Sequence, residues 1–350
     1  EVDRAALEAH IESVFGVQEE AGPGVAVLVT HDGRVVAERR FGRASLEFDV
    51  PFTPENVVRL PYSEGREFMT IAAVLMESDG LIRLDDPIRS YFPKLPAWSQ
   101  PVTIRDLIHH RSGFVDEWSV LLLMHSSMAN RFDRPQFLRL LYEQSEPEVE
   151  PGTGYMYSNS DYGLLRLILE QAAAGDLGDY LQRRMFRPLR MDSTVLLDDS
   201  LQVLPRHAPF YAPSGDGYRH MEVKTSPGGD YVICTTAGDL ARWADAHSDP
   251  DSEVSRAVAR LLDGAAPVPG LEGHYAFGLT IAEVAGQRVV RHEGVLGCNY
   301  LTRIPESKLA VITFGNRFYE PAENLAVVQF LLGVTAEAEN LPVASEPASV

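Results

Sequence analysis

Ser63 and Arg66 stand three residues apart in this 350-residue chain, at a spacing that could carry out chemistry. A serine hydroxyl attacks acyl groups when a neighbouring group takes its proton. The residues that follow have the i, i+3, i+4 apolar spacing of an amphipathic helix, namely Phe68, Ile71, Ala72, Leu75 and Met76. Gly80 is placed to end that helix. Ser63 thus precedes a half-buried helix, where serine is also a common N-cap, and on this stretch alone the cap is the favoured interpretation.

Two further segments carry polar residues of a chemically useful type. Residues 151–163 read Pro-Gly-Thr-Gly-Tyr-Met-Tyr-Ser-Asn-Ser-Asp-Tyr-Gly and contain Tyr157 and Asn159. A bare Tyr-Ser-Asn is more often a turn in which the polar side chains satisfy backbone groups before a helix. The second segment contains His292, Glu293 and Gly294. A lone histidine on a strand is usually structural, so neither segment predicts a site by itself.

The surrounding pattern predicts helices and strands that could hold these segments. An Asp32-Gly33 turn between two β-rich runs, 24–30 and 34–38, is a strong hairpin signal. Thr103 and Asp106 form a capping-box pattern at the start of a short helix. Further helices are predicted over 2–15, 134–144, 162–173, 236–247 and 327–332. Strands are predicted over 274–283, 288–291, 300–303 and 309–314. Residues 205–230 are predicted to be a long loop that could form a lid, and the acidic tail from 336 to be disordered.

Composition excludes several functional classes. The net charge of -19 disfavours nucleic acid and anionic membrane as partners. No apolar run has the length of a membrane span, and no signal peptide is visible in a sequence that begins with Glu1. Compartment and oligomeric state stay open.

Two cysteines, Cys234 and Cys298, are too few for a disulfide framework or a metal site. Buried free thiols are the expected state of both. No spacing in the chain implies a metal or an organic cofactor.

Taken together, the three segments resemble those of the serine β-lactamase and penicillin-binding-protein-like hydrolases, especially the class C-type esterase and D-aminopeptidase branch. Ser63 with a basic residue three positions on, followed by Leu84-Asp85-Asp86-Pro87, resembles the first motif and its helix. Residues 151–163 closely resemble the Tyr-Ser-Asn stretch, and His292 to Gly294 resembles the His-x-Gly form of the third motif. Supporting similarities occur at 109–114, 187–194, 227–229 and 235–243.

The resemblance covers most of residues 20–330 and implies a β-lactamase/transpeptidase-like α+β fold. An antiparallel sheet flanked by helices would come from residues 1–60 and 270–335, with a mostly helical lobe from residues 61–269 and a disordered tail over 336–350. The site is expected in the cleft between the two lobes.

The family also implies roles for individual residues. Ser63 would be the nucleophile, Tyr157 would share the proton transfer, and Asn159 would position substrate. Gly294 would allow close backbone approach, and the N–H groups of Val295 and Ser63 would form an oxyanion hole. His292 is carried over as a catalytic candidate in the third motif.

Arg66 departs from the family, which has lysine there as the base. Arginine stays protonated in proteins and cannot accept the serine proton. Three outcomes are open. In the first, Tyr157 acts alone as the base, and the guanidinium favours its phenolate form. In the second, acyl-enzyme chemistry is lost, and Arg66 binds a ligand carboxylate or pairs with Glu64, Glu67 or Glu293. In the third, the fold serves a non-hydrolytic biosynthetic reaction.

The leading hypothesis is a serine-dependent acyl hydrolase or acyltransferase acting on a small-molecule or peptide substrate. Esters, amides and D-amino-acid peptides are equally open. Ordinary β-lactams are weakly disfavoured, because His292 stands where the family's lysine helps to bind their carboxylate. The competing hypothesis is a ligand-binding or repurposed protein on the same scaffold.

Overall fold

The computed structural model describes residues 3–16, 21–60, 65–124, 133–197, 202–221, 232–267, 273–293, 299–317 and 321–334. Its α-helices are α1 Arg4–Phe15, α2 Arg66–Ser78, α3 Ile104–Ile108, α4 Glu117–Leu123, α5 Arg134–Glu143, α6 Asn159–Ala172, α7 Leu177–Leu181, α8 Ala237–Ser248, α9 Glu253–Leu262 and α10 Pro321–Leu332. Its strands are β1 Val25–His31, β2 Arg34–Phe41, β3 Arg43–Ser45, β4 Val50–Pro51, β5 Val58–Leu60, β6 Val195–Leu197, β7 Tyr211–Ser214, β8 Gly217–His220, β9 Val232–Thr235, β10 Ala266–Pro267, β11 His274–Ala276, β12 Leu279–Val284, β13 Gln287–Glu293, β14 Asn299–Ile304 and β15 Leu309–Gly315.

Both ends of the chain build one antiparallel sheet of eight strands, in the order β10-β11-β12-β13-β14-β15-β1-β2. β1 shows why this sheet is buried on both faces. Val25, Val27 and Val29 enter a core shared with α1 and α10, whereas Ala26 and Leu28 enter the main core, which contains α2, α6 and α8. Successive side chains of a strand point to opposite faces, so a continuous apolar run is what a sheet covered on both faces requires.

The predicted α+β class with an antiparallel sheet and flanking helices is confirmed. The predicted hairpin forms between β1 and β2, with Asp32 and Gly33 at positive φ of 49° and 73°. The Thr103–Asp106 capping box is present at α3. The division into lobes at residues 60 and 270 stays a prediction.

α2 carries Arg66 as its first residue and ends as predicted. Its N-cap position is Gly65, which has no side chain with which to bond the free N–H groups. At the other end, the N–H of Gly80 donates to the carbonyl of Glu77, and the N–H of Leu81 to that of Met76. These two bonds form a Schellman motif around Gly80, whose φ is +74°. Because Gly65 holds the N-cap position, the interpretation of Ser63 as the N-cap is wrong; Ser63 itself lies outside the described residues.

A buried ion pair ties the first turn of α2 to the sheet. Arg303 on β14 donates from Nη2 to both carboxylate oxygens of Glu67 at 2.8 Å, and Trp243 on α8 donates from Nε1 at 2.6 Å. All three side chains are at most 2% exposed. Breaking a pair of this kind by removing one partner typically costs about 3–5 kcal/mol, because a buried charge is left unpaired. Because Glu67 is held by these bonds, the backbone of its neighbour Arg66 is held in place as well.

The β11–β12 turn packs directly against the start of α2. The sequence pattern predicted one strand over 274–283, but Phe277 and Gly278 form a tight turn with φ of 44° and 88°. A Cβ atom built on Gly278 would lie 2.9 Å from Cβ of Arg66 and 3.2 Å from the Glu67 nitrogen. Only glycine fits both this positive φ and this approach.

Other elements differ from the sequence prediction. Within the expected loop 205–230, β7 and β8 form a hairpin, and 222–230 lies outside the described residues. Proline, glycine and serine interrupt the alternation there, which hides the strand signal. α4, α9 and the small sheet β5-β9-β6 were not predicted. α10 begins at Pro321 instead of 327, and the tail from 336 is not described.

The buried side chain of His109 makes the stability of the protein depend on pH. It is 1% exposed at the end of α3, and within the described part of the chain neither ring nitrogen has a hydrogen-bond partner. Burial lowers the pKa of His109 to about 4. In the unfolded state the pKa of this histidine is about 6.5, so the unfolded state binds a proton first as pH falls. Below pH 6.5 the free energy of unfolding therefore decreases by about 1.4 kcal/mol per pH unit.

We expect His109→Gln to remove this loss. Denaturant unfolding at pH 7.5 and 5.5 should show the wild type losing about 1 kcal/mol relative to the variant. The exposed His31→Gln serves as the matched control and should not change the pH dependence. Equal pH dependence of His109→Gln and wild type would contradict the expectation.

Candidate active site

Arg66 lies at the centre of a buried cluster built by α2, α6 and the segment before α6. It is 4% exposed, and Nη2 donates a short hydrogen bond to Oδ1 of Asn159. The guanidinium carbon lies 4.7 Å from the ring centroid of Tyr157 and 4.9 Å from that of Tyr162. These distances are within the range of cation–π attraction. Arg66 is thus held by aromatic faces and an amide oxygen.

Arg66 and Tyr157 donate to the same acceptor atom, Oδ1 of Asn159. The Tyr157 hydroxyl lies 3.4 Å from Oδ1 of Asn159, which also receives the bond from Arg66. Asn159 is the first residue of α6 and is 6% exposed. The structure therefore brings together three residues that were predicted from two separate motifs.

Aromatic side chains wall the cluster. His110 stacks near Tyr157 and Tyr275, with ring centroids 4.8 Å and 5.1 Å apart. Tyr162 donates its hydroxyl to the carbonyl of Ile108 at 3.0 Å. Burial raises the pKa of the Tyr162 and Tyr275 phenols, so both are neutral hydrogen-bonding groups at ordinary pH.

The charge of Arg66 is stable in this environment. Burial alone would lower its pKa, but the oxygens of Tyr157, Tyr275 and Tyr162 more than offset that effect and raise the pKa above its ordinary value. Arg66 does not pair with Glu67, whose carboxylate is bonded to Arg303 and Trp243. In the part of the chain that the structure describes, no carboxylate forms an ion pair with Arg66. Its cation is present at every pH at which the fold is stable.

A fully buried carboxyl, Glu117, lies beside the cluster at the start of α4. Ser160 Oγ is 2.7 Å from Glu117 Oε2 and also 2.7 Å from the carbonyl oxygen of Val115. One hydroxyl has a single hydrogen and a carbonyl can only accept, so the second contact needs a proton on Glu117. Consistent with this, burial and the charge of Asp116 raise the pKa of Glu117 to about 8.

His110 and Asp161 form a second buried pair behind Tyr157. Nδ1 of His110 receives the Ser158 N–H at 3.3 Å and lies 3.1 Å from Oδ2 of Asp161. Ser112 donates to the other carboxyl oxygen. Burial lowers the pKa of His110 and raises that of Asp161, so both groups are neutral at ordinary pH.

The remaining predicted residues are only partly described. Ser63, Gly294 and Val295 lie outside the described residues, so the oxyanion hole stays a prediction. The backbone of His292 lies on β13, opposite Leu301, one residue beyond the predicted strand 288–291. Its side chain is not described, and neither are those of Glu64 and Glu293.

The sequence profile described as Beta-lactamase matches residues 9–333. The chain belongs to the Beta-lactamase family.

Several other proteins are similar to this chain. A D-aminopeptidase from Brucella anthropi is 30% identical over 301 residues, which cover 84% of this chain and 55% of the relative. The chain thus spans about half the length of that relative. An octameric penicillin-binding protein homologue from Pyrococcus abyssi has a TM-score of 0.80 at 23% identity, covering 97% of this chain and 79% of the other. A D-amino acid amidase from Ochrobactrum anthropi SV3 has a TM-score of 0.75 at 20% identity, with coverages of 94% and 99%. These two structures support the fold assignment.

Sequence reasoning missed Asp116, Glu117 and Tyr275, which lie at or beside this cluster. Asp116 and Glu117 begin two positions after the end of the 109–114 segment, but they look like the polar start of an exposed helix. Tyr275 was assigned only to a strand. The burial of Glu117 and Tyr275 depends on distant contacts that no local pattern contains.

Cys234 is a buried free thiol, as expected, and burial raises its pKa to about 12. Cys298 lies outside the described residues. Within the described ranges, no cluster of three or more His, Cys, Asp or Glu side chains is arranged to hold a metal ion. None of the helices in the described part of the chain is long and apolar enough to cross a membrane.

Proposed function

We propose that this protein is a serine-dependent acyl hydrolase or acyltransferase in which Ser63 is the nucleophile and Tyr157 is the base. The observation that carries the proposal is the Arg66–Tyr157–Asn159 cluster, which begins three residues after Ser63 in the chain. In this family, a serine followed by a cation at this spacing and a neighbouring tyrosine is the acyl-transfer site. Membership of the family supports the same use here.

Tyr157 takes the place of the missing basic residue. As Ser63 attacks an acyl carbon, its proton passes to the Tyr157 oxygen, and the nearby Arg66 cation stabilises the phenolate form. Tyr157 then returns the proton to the leaving amine or alcohol. Water, or an acceptor alcohol in acyl transfer, releases the acyl group from Ser63 by the reverse sequence.

The N–H groups of Ser63 and Val295 would stabilise the negative oxygen of the tetrahedral intermediate. Gly294 would let that backbone approach the substrate, and His292 would border it in the third motif. These assignments rest on the family's motifs.

The substrates that fit the proposal are amides, esters and peptides of small acyl groups, D-amino-acid derivatives above all. The D-aminopeptidase and the D-amino acid amidase among the similar proteins support that class. The proposal concerns the part of the relatives' length that this chain spans.

The test is covalent labelling with a fluorophosphonate, measured by intact mass. We expect one adduct per chain, mapped by peptide mass to Ser63 and absent in Ser63→Ala. Hydrolysis of a p-nitrophenyl ester should fall to the uncatalysed rate in the same variant. An adduct at another residue, or unchanged hydrolysis in Ser63→Ala, would refute the assignment.

A second candidate function is ligand binding, or a non-hydrolytic reaction, without an acyl-enzyme. The permanent charge of Arg66 favours it, because a buried guanidinium can hold a ligand carboxylate but cannot be a base. No adduct together with tight binding of a small carboxylate would favour this candidate.

A further inference from the structure

The amide of Asn159 has a forced orientation. The guanidinium of Arg66 can only donate, so the atom of Asn159 that faces it is the oxygen. The NH2 group then faces Asp116, whose carboxylate accepts its hydrogen at 2.7 Å. No other orientation satisfies both neighbours, since the reverse would place a donor on a donor and an acceptor on an acceptor.

Asp116 holds two helix starts together. Its Oδ1 accepts the backbone N–H of Asn159 at 2.8 Å as well as the side-chain bond. Its Oδ2 accepts the N–H and the Oγ–H of Ser119, each at 2.9 Å. These are first-turn N–H groups of α6 and α4, where a negative charge is favoured. The carboxylate is therefore fixed on both of its oxygens.

A continuous line of hydrogen bonds results, with a cation at one end and an anion at the other. It runs from Arg66 through the Asn159 amide to Asp116, and the Tyr157 hydroxyl lies beside the same amide oxygen. Charges of opposite sign at the two ends polarise the amide, and its oxygen becomes a stronger acceptor for Arg66 and Tyr157.

We propose that Asp116 is a positioning residue for the reaction at this site: it sets the Asn159 amide, and through it the places of Arg66 and Tyr157. The proposal rests on the function proposed above. Among the described residues, hydrogen bonds link Asp116 to Arg66 and Tyr157 through Asn159. Asp116 is therefore expected to act on the rate of the chemical step and not on substrate affinity.

The kinetic test compares Asp116→Ala with a matched control, Ser119→Ala. The control removes a bond to the same carboxylate on the α4 side only and leaves Asn159 untouched. We expect Asp116→Ala to lower kcat for a p-nitrophenyl ester at least tenfold with KM within threefold, and Ser119→Ala to keep kcat within twofold. If Asp116→Ala does not fold, Asp116→Asn replaces it, because it removes the charge at nearly constant size.

A second measurement works without substrate. Asp116 and Arg66 do not touch, so their effects on Tm should be additive unless Asn159 connects them. We expect the decrease in Tm for the double variant Asp116→Ala/Arg66→Met to be smaller than the sum of the single decreases. The difference should vanish when Asn159 is also replaced by Ala.

The two measurements separate this inference from the proposed function. Absence of hydrolysis in the wild type counts against the proposed function alone, and the Tm cycle still decides the role of Asp116. Additive Tm decreases would overturn the inference, and so would an active Asp116→Ala enzyme whose kcat stays within twofold of the wild type.

Discussion

Arg66→Lys is expected to raise kcat/KM for ester hydrolysis by about ten- to a hundredfold. A positioned general base typically contributes about 10²–10⁴-fold to a rate, and the wild type has only the Tyr157 phenol for this purpose. A lysine at position 66 would be nearly buried among Tyr157, Tyr162 and Asn159. Burial lowers the pKa of a lysine, so that its neutral amine becomes available to accept the serine proton.

The matched control for this experiment is Arg66→Met, which removes the charge and supplies no base. We expect its kcat/KM to fall below that of the wild type, because the phenolate form of Tyr157 loses its neighbouring cation. Steady-state rates from pH 6 to 9 on wild type and both variants give the comparison. A decrease in Arg66→Lys equal to that in Arg66→Met would mean that the guanidinium itself is needed, which contradicts the assignment of the base.

Glu117→Gln is expected to stabilise the protein by about 3 kcal/mol or more at pH 8.5. The pKa of this fully buried carboxyl is raised to about 8, mainly by burial and then by Asp116. The unfolded chain releases the proton above about pH 4.3, so wild-type stability falls as pH rises, by about 1.4 kcal/mol per unit, until pH 8. Glutamine is neutral at every pH. Its NH2 group can donate a hydrogen bond to Ser160 Oγ, as the protonated carboxyl of Glu117 does.

Unfolding by denaturant at pH 5.5 and 8.5 tests this expectation. The stability difference between Glu117→Gln and wild type should grow with pH, and the exposed Glu146→Gln should show no such growth. If Glu117→Gln is no more stable than wild type at pH 8.5, Glu117 is ionised in the native protein.

Local patterns were enough to predict the parts of the site that lie within one motif. Tyr157 and Asn159 are two residues apart in a distinctive segment, and Arg66 is fixed by its spacing from Ser63. The antiparallel sheet could be predicted because continuous apolar runs with turn residues between them recur at both ends of the chain. The hairpin at Asp32 and Gly33 follows from turn chemistry alone.

The surroundings of Asp116 and Glu117 could not be predicted in this way. Whether Asp116 and Glu117 are exposed or buried depends on how α4 packs on α6, and their own neighbours in sequence give no indication of it. The break between β11 and β12 was missed for a related reason. The run of residues 275–279 has no polar side chain that interrupts it at Phe277 and Gly278, and the turn there is matched to the close approach of α2.

The tie between Glu67 and Arg303 also has a consequence for how the protein is made. The two residues are 236 positions apart along the chain, yet they fix the backbone beside Arg66. During synthesis, α2, α4 and α6 leave the ribosome before β14 does. The carboxylate of Glu67 therefore has no Arg303 to pair with until β14 has been made. Contacts this distant in sequence close late and slow folding. We therefore expect the cluster around Arg66 to reach its final arrangement only after β14 has joined the sheet.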